Sequence, residues 1–235
     1  MRDAYLHRGL GNAKLLREDL ALRFLRGEGI EIGAMDYPLR TPRGAHVRYV
    51  DHLDEAGLRS AYAENLARGN PLVVPDIVDD GATLSVFADA SLDFIVANHV
   101  FEHFEDPIAA LENHLRVLRP GGVLFMTLPD ARHTFDSRRP RTSLEHLLRD
   151  HRDGPRVSRR AHYEECARLI EGHTDATVEE RIREMETNDI RPHFHVWEPI
   201  TFVAFLSALE LPFSLELLQA SESEFLVVLR KEQRG

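Results

Sequence analysis

A polar patch, Asn98-His99-Val100-Phe101-Glu102-His103, follows directly on the apolar run Phe94–Ala97. Histidine and carboxylate side chains at this spacing can move a proton or bind a charged group. Acidic residues also occur in two earlier apolar segments, where Glu31 and Asp51 stand at or near the segment ends. Ligands of parallel α/β sheets bind beyond the carboxyl ends of the strands. These residues could therefore form one site if their segments are neighbouring strands.

The residues after the polar patch predict the helix and strand that complete such a unit. Asp106 is a good N-cap, and Pro107 suits the first helical position. Apolar residues at helical spacing follow, and Pro120-Gly121-Gly122 predicts the turn into a second apolar run, Val123–Leu128. Strand, site, helix, turn and strand form one crossover of a parallel α/β sheet.

Two motifs in this region, SLDFIVANHVFEH and LRVLRPGGVLFMTLP, carry a family resemblance. In this order and at this spacing they resemble the class I S-adenosylmethionine-dependent methyltransferases, in their small-molecule, type 11-like branch. The resemblance extends from about Gly29 to Leu229, apart from a central insertion. It implies an α/β Rossmann-like fold, with a mostly parallel seven-stranded sheet flanked by helices and closed by an antiparallel C-terminal hairpin. It also implies an enzyme with S-adenosyl-L-methionine as cofactor and a small-molecule acceptor.

The resemblance also implies which residues contact the cofactor. They all stand at or just after predicted strand ends: Glu31 for the methionine amine, Gly33 for close backbone approach, Asp51 for the ribose, Asp79 (or, as second choice, Asp80) for the adenine, and Asn98 and His99 for the methionine end. An acid 18 residues past Gly33 suits ribose hydroxyls, although a turn-forming role for Asp51 stays open. The Asp79 and Asp80 carboxylates could instead cap the following turn.

The first crossover departs from the family pattern. No further glycines follow Gly33 in the next five residues, and the twelve residues Ala34–Ala45 contain two prolines. An ordinary helix does not fit this connection, so we predict an irregular loop. The cofactor carboxylate would then lose a helix N-terminus as its anchor. Arg40 or Arg43 could bind it instead, and surface exposure of both is the alternative.

The remaining chain predicts one cofactor-binding domain, residues 1–130 and 193–235, interrupted by an inserted segment, residues 131–192, that forms a helical lid. Further elements are expected from periodicity and turn residues. They are a helix over residues 13–26, strands at Gly29–Ala34, His46–Asp51 and Leu72–Val74, a helix over Leu53–Arg68, helices near Ser143–Arg152, Ser158–Glu171 and Ala176–Asn188, a helix opening at Pro199, and a hairpin of Ser214–Ala220 and Glu224–Arg230.

Charge is distributed unevenly along the chain. Net charge is −10, yet residues 131–160 hold nine arginines against four acids. A local basic surface suits an anionic substrate, such as a sugar nucleotide or saccharide precursor, because arginine recognises planar anions. The expected substrate-binding residues are Arg132, His133, Arg141 and His195. The alternative is that these arginines form salt bridges within the inserted segment or are solvated.

Three histidines are candidates for proton transfer during methylation of an oxygen or nitrogen: His99, His103 and His133. A structural hydrogen-bonding role for His103 is the main alternative. In the alternating run from His193 to Trp197, His195 shares a face with His193. The two histidines could ligate a metal together with His99 or Asp130, but packing is the favoured interpretation and no metal is assigned.

Composition excludes several classes of protein. The chain of 235 residues is 43% hydrophobic and 29% charged, and its single cysteine excludes an internal disulfide. Neither an 18-residue apolar run nor a signal-peptide core is present, so no membrane association and a cytoplasmic location are expected. The acidic net charge argues against nucleic-acid binding. A cofactor-binding module without catalysis remains the second hypothesis, and the oligomeric state is left open.

Overall fold

The computed structural model describes residues 10–67, 69 and 71–233. Helices and strands alternate in the first half of the chain. In chain order the elements are α1 (Leu10–Phe24), β1 (Gly27–Ile32), β2 (Ala45–Asp51), α2 (Glu55–Ala61), α3 (Ala63–Ala67), β3 (Ile77–Val78), β4 (Leu92–Asn98), α4 (Pro107–Val117), β5 (Leu118–Pro129), α5 (Leu144–Asp153), α6 (Arg156–Leu169), α7 (Val178–Thr187), α8 (Pro199–Ser207), β6 (Phe213–Ser221) and β7 (Glu224–Lys231). Short 3₁₀ turns cover Phe101–His103 and Phe135–Arg138.

The strands form one seven-stranded sheet in the order β3-β2-β1-β4-β5-β7-β6. Strands β1 to β5 run parallel, and the β6–β7 hairpin adds antiparallel to β5. The predicted Rossmann-like fold with an antiparallel C-terminal hairpin is therefore confirmed. Because β7 runs against β5, its first residue lies at the same sheet edge as the last residues of the parallel strands.

Helices cover both faces of the sheet. One face packs with α4 and α8 in a cluster that includes Ile32, Ile95 and Phe202. The other face packs with α1, where Leu20 and Phe125 belong to a second cluster. Burial of both faces explains the near-continuous apolar runs of β4 and β5 in the sequence.

The helix after β4 begins as its capping residues predict. The Asp106 carboxylate accepts a hydrogen bond of 2.9 Å from the Ala109 amide, and Pro107 occupies the first turn. The helix ends at Val117, and β5 starts immediately at Leu118. The helix therefore leads directly into β5, which pairs in parallel with β4.

The connection between β1 and β2 is irregular, as its prolines predict. None of its residues, all of which the structure describes, is helical. Leu39 in this loop is buried and packs into the cluster on the α1 face. The loop therefore folds back over the carboxyl end of β1 instead of passing along the sheet as a helix.

The predicted position of the third strand is wrong. Residues 72–74 form no strand, and Val74 is 47% exposed. The paired residues are Ile77 and Val78, which lie beside Val50 and Asp51. Pro75 lacks an amide proton and separates the apolar run from the ladder, so pairing begins only beyond it.

The three helices predicted within the inserted segment are present as α5, α6 and α7. Tyr163, Ile182 and Phe194 belong to a small apolar cluster of their own, separate from those of the sheet. None of the helices in the described part of the chain is long and apolar enough to span a bilayer.

Candidate functional site

Polar side chains of five adjacent strands lie on one face of the sheet at one edge. Glu31 pairs in register with Tyr49 and Val96, and Thr127 pairs with Leu226. Because side chains alternate along a strand, the residues on the α1 face at the carboxyl edge are Asp51, Glu31, Asn98, Thr127 and Glu224. The edge where ligands of such sheets bind is therefore lined by carboxylates and polar groups.

Glu31 is the deepest carboxylate of this row and is 1% exposed. Both of its oxygens accept a hydrogen bond from the Leu39 amide at 3.0 Å, and Asn98 also donates to it. Burial raises the pKa of Glu31 to about 7, and these hydrogen bonds only partly oppose the shift. The carboxyl group therefore favours a cationic partner, which would stabilise its ionised form.

The turn after β1 brings the backbone close to the end of β4. Gly33 has φ +64°, and a Cβ there would meet Val100 Cγ2 at 3.0 Å. Beside it, the Asn98 side-chain oxygen accepts a hydrogen bond from the Thr127 hydroxyl. The glycine and the fixed amide both keep the space above β1 and β4 open and polar.

A shallow cleft opens between α1, the β1–β2 loop and the tip of β4. Its wall combines cationic, aromatic and polar side chains, namely Lys14, Arg17, Glu18, Tyr37, Pro38, Leu39, Arg40 and Asn98. Arg40 and Arg43 are both exposed, as the alternative left open by the sequence expects, but Arg40 also lines this cleft. The loop that replaces the usual crossover helix thus supplies a guanidinium in the expected region.

Asp51 and the acids after β3 differ in the number of hydrogen bonds that they accept from nearby residues. Asp51 is 7% exposed and accepts one hydrogen bond from the Leu53 amide at 3.1 Å. Asp79 accepts from the Ser85 hydroxyl and the Val86 amide, so it caps its own turn. A cap of this kind was the alternative that the sequence left open for the loop.

Asp80 forms a salt bridge with Arg191 at 2.9 Å and accepts from the Ala82 amide at 2.8 Å. Burial opposes its charge, but the hydrogen bonds and Arg191 hold the pKa of Asp80 below its usual value. Asp80 therefore stays ionised and ties the loop after β3 to the segment before α8. Its assignment to an adenine ring stays a prediction.

His99 directly follows β4 in a left-handed conformation, with φ 53°. Its Nε2 lies 2.9 Å from Glu224 Oε2 and 3.0 Å from Arg17 Nη2, and its Nδ1 lies 3.6 Å from Glu102. Desolvation disfavours the charge on the ring, but attraction from Glu102 and Glu224 and the hydrogen bond to Glu224 raise the pKa of His99 to about 9. The ring is thus a cation at neutral pH and is 38% exposed at the sheet edge.

A chain of alternating basic and acidic side chains extends from this histidine into the inserted segment. The buried Glu102 carboxylate lies between His99 and His193, the latter at 3.8 Å. His193 Nδ1 contacts Asp136 at 2.7 Å, and Asp136 pairs with the buried Arg139. Burial raises the pKa of Glu102, but the neighbouring imidazoles outweigh this and leave it lowered. The inserted segment is therefore coupled electrostatically to the tip of β4.

The other two histidines proposed for proton transfer have different surroundings. His103 Nδ1 donates to the carbonyls of Arg191 and Pro192 at 2.8 and 3.0 Å, as the structural alternative expects. Burial, together with the neighbouring His193, lowers the pKa of His103. His133 is exposed on the loop after β5. Of the three candidates, His133 therefore has the ring that is most accessible to an acceptor.

The structure pairs most of the arginines expected to bind an anion with internal acids. Arg132 forms a bidentate contact with Asp130, and Arg141 contacts Glu198 at 2.8 Å. Seven of the nine arginines of residues 131–160 contact a carboxylate: Arg132, Arg139, Arg141, Arg149, Arg152, Arg159 and Arg160. The salt-bridge alternative therefore describes most of this surface.

His195 does not face an open acceptor site. It is 1% exposed, and its Nε2 lies 3.1 Å from the Glu105 carbonyl oxygen. The alternative that His193 and His195 share a metal site with His99 or Asp130 does not agree with the structure. The segment is not a regular strand, so His193 lies beside Glu102 whereas His195 lies beside His146 and His162.

Sequence reasoning missed two residues of the site, Arg17 and Glu224. Arg17 is separated from His99 by 82 residues, and Glu224 by 125. The predicted C-terminal hairpin contained a signal for the second of them. The first residue of a strand antiparallel to β5 must lie at the carboxyl edge of the sheet.

Comparison with known proteins agrees with this geometry. Residues 28–126 match the family model described as a methyltransferase domain. A search of curated proteins finds no match. A S-adenosylmethionine-dependent methyltransferase from Aquifex aeolicus has a TM-score of 0.50 and 12% identity, covering 94% of this chain and 89% of that one. The PH0226 protein from Pyrococcus horikoshii has a TM-score of 0.52 and 17% identity, covering 94% and 91%.

A third similar structure comes from work on the conversion of a disulfide bond into a thioacetal group during echinomycin biosynthesis. It has a TM-score of 0.52 and 14% identity, covering 95% of this chain and 82% of that one. At these identities the three structures are evidence for the fold.

The residues at the carboxyl edge fit the cofactor of this family. A buried carboxyl group with a raised pKa, at Glu31, suits an ammonium group, and the Cβ-free turn at Gly33 admits close approach. Arg40 and Lys14 supply positive charge for a carboxylate in the same cleft, and Asp51 stands at the neighbouring strand end. The family match over residues 28–126, together with this arrangement, supports a class I S-adenosylmethionine-dependent methyltransferase domain.

Proposed function

We propose that this enzyme transfers a methyl group to an oxygen or nitrogen of a small anionic acceptor, such as a sugar nucleotide or saccharide precursor. S-adenosylmethionine supplies an activated methyl donor, so the protein must orient the acceptor and accept a proton. The observation that carries the proposal is His99, a partly exposed cation at the tip of β4, held by Glu102 and Glu224. A cation there supports binding of an anionic group next to the cofactor.

We propose that residues at the carboxyl ends of the strands contact the cofactor. Glu31 would bind the methionine amine, Asp51 the ribose hydroxyls and Arg40 the carboxylate, while Gly33, Asn98 and His99 border the methionine end. Asp79 or Asp80 would lie near the adenine as parts of a capped loop. The assignment of residues 131–192 as a lid, the exclusion of nucleic-acid partners and a cytoplasmic location stay predictions from the sequence.

For the acceptor, we propose that Arg132 and His133 provide the contacts beyond β5. The Arg132 side chain is 47% exposed despite its pairing with Asp130, so one side of the guanidinium is accessible. His133 is the candidate proton acceptor because its ring is exposed, whereas His99 already carries a proton and His103 is hydrogen-bonded to two carbonyls. Arg141 and His195 support the proposal less, because both are engaged within the protein.

Methyl transfer to a set of acceptors tests this proposal. Sugar nucleotides should be methylated, and the corresponding uncharged sugars should react at least 10-fold more slowly. Replacing His133 with alanine should lower kcat by roughly 10²-fold or more, since general base catalysis contributes that much. His46→Ala, at an exposed histidine on β2, serves as the control. Equal activity toward charged and uncharged acceptors would reject the anionic class.

Cofactor binding should also release protons near pH 7. Glu31, with a pKa of about 7, is partly protonated in the free protein. A cationic ammonium group would lower that pKa, so up to about half a proton should leave at pH 7. Calorimetry with S-adenosylhomocysteine in buffers of different ionisation enthalpy measures this release. A binding enthalpy independent of the buffer would contradict the role of Glu31.

A further inference from the structure

A cluster of metal-ligating side chains lies where α5, α6 and the segment before α8 meet. His146 and Asp150 stand four residues apart on α5, so they share a helix face. One ring nitrogen from each of His146, His162 and His195 lies within 4.8 Å of the others. These residues are separate from the row at the sheet edge and have no part in the proposed reaction.

The distances within the cluster bring three imidazoles together, with a carboxylate beside two of them. His146 Nε2 lies 3.0 Å from His162 Nε2 and 3.0 Å from Asp150 Oδ2, and His162 Nε2 lies 3.9 Å from that oxygen. Four donors at about 2 Å from a tetrahedral zinc ion lie roughly 3.3 Å from one another. The three histidines are close to that spacing, and the Asp150 side chain must move toward His195 to complete it.

Two of the donor atoms are buried and lack a hydrogen bond. Among the described residues, His195 Nδ1 and Asp150 Oδ2 have no hydrogen-bond partner, although both side chains are 1% exposed. The 3.0 Å approach of His146 to Asp150 does not have hydrogen-bond geometry. Buried polar atoms without partners are costly, so this pocket favours a ligand that both atoms can bind.

Neighbouring groups already orient these side chains as outer partners of a metal site do. His195 Nε2 donates to the Glu105 carbonyl at 3.1 Å, which directs the lone pair of Nδ1 away from that carbonyl. The Ser158 hydroxyl donates to Asp150 Oδ1 at 2.7 Å and leaves Oδ2 available. A histidine ligand commonly donates its second ring nitrogen to a carbonyl or carboxylate in this way.

We propose that His146 Nε2, His162 Nε2, His195 Nδ1 and Asp150 Oδ2 bind one zinc ion. Three imidazoles with ring nitrogens within 4.8 Å of one another, and a carboxylate beside two of them, are a donor set that zinc accepts. With four protein ligands the site is closed, so its role is structural. The ion fastens α5 and α6 to the segment that leads into α8 and the sheet.

Two existing contacts must change when the ion binds: the hydrogen bond between His146 Nε2 and His162 Nε2, which zinc replaces, and the contact between Arg149 and His146. Arg149 Nη2 lies 2.9 Å from His146 Nδ1 and, as a donor, requires the proton of that ring to be on Nε2. Zinc ligation by Nε2 moves the proton to Nδ1, so Arg149 must turn away. Its side chain is 47% exposed and already contacts Ser158 and Asp150, where it can remain.

Metal analysis of the purified full chain tests the site. After chelator treatment and reconstitution with Zn²⁺, we expect one zinc ion per chain. His162→Ala and Asp150→Asn should weaken zinc binding about 100-fold or more, since loss of even an outer partner costs 10–100-fold. His46→Ala, an exposed histidine outside the cluster, should bind zinc as the wild type does.

A second histidine cluster, formed by Glu102, His103 and His193, provides the competing outcome. Zinc that is lost in His103→Ala but retained in His162→Ala would overturn the proposal. So would wild-type protein that takes up no zinc in competition with a chromophoric chelator. If His162→Ala fails to fold, X-ray absorption of the wild-type zinc form decides. Three imidazole ligands support the site, and two or fewer overturn it.

Discussion

Replacing Glu31 with glutamine should strengthen the fold and weaken cofactor binding. The glutamine keeps an oxygen for the Leu39 amide but carries no charge, so the burial penalty on the carboxylate disappears. Binding should weaken by about 2–3 kcal/mol, roughly 30- to 150-fold, because the ammonium group loses its charged partner. Calorimetry with S-adenosylhomocysteine measures the change. Glu18→Gln is the matched control, since Glu18 lines the same cleft.

The stability of the same variant should depend on pH in a definite direction. An unfolded glutamate ionises near pH 4.5, whereas Glu31 ionises near 7, so the wild-type fold loses stability as pH rises through this window. Glu31→Gln should therefore exceed the wild type by up to roughly 3 kcal/mol at pH 8 and by almost nothing at pH 4. Urea unfolding at both values checks this. A variant less stable than the wild type at pH 8 would show that hydrogen bonds and charges in the fold fully compensate the burial of the ionised carboxylate.

Replacing Glu102 with alanine should produce the largest loss of stability, roughly 3 kcal/mol, because it removes a buried charge that faces His99 and His193. The same change should lower the pKa of His99 below its value of about 9, since Glu102 is one of two carboxylates that raise it. Urea unfolding measures the first effect, and NMR titration of the His99 ring measures the second.

Glu112→Ala provides the matched control for Glu102. Glu112 is an exposed glutamate on α4, so its replacement should change stability by less than about 0.5 kcal/mol. An unchanged His99 titration in Glu102→Ala would mean that Glu224 and the backbone alone set its charge. The proposed electrostatic connection between the tip of β4 and the inserted segment would then be wrong.

Most of the architecture could be predicted because its signals are local. The Asp106 cap, the glycine that allows the irregularity near the start of β5 (Gly121, φ +81°) and the prolines of the β1–β2 connection each act within a few residues. The third strand was misplaced because its two paired residues lie beyond Pro75, while the more apolar run before it is partly exposed. Two residues of strand are too few to leave a periodic signal.

The candidate site was predictable where strand ends define it. Glu31, Asp51, Asn98 and His99 lie at one edge because parallel strands end together. The partners that set the charge of His99 come from distant segments, so no local pattern indicates them. Excess arginine in residues 131–160 suggested an anion site, but pairing with acids depends on tertiary contacts.

A crystal structure with bound S-adenosylhomocysteine tests the central claim most directly, since that claim places the cofactor at the carboxyl edge on the α1 face. The methionine amine should contact the Glu31 carboxylate, and the ribose hydroxyls should contact Asp51. A ligand that sits elsewhere, or that leaves either carboxylate without a contact, would contradict the account.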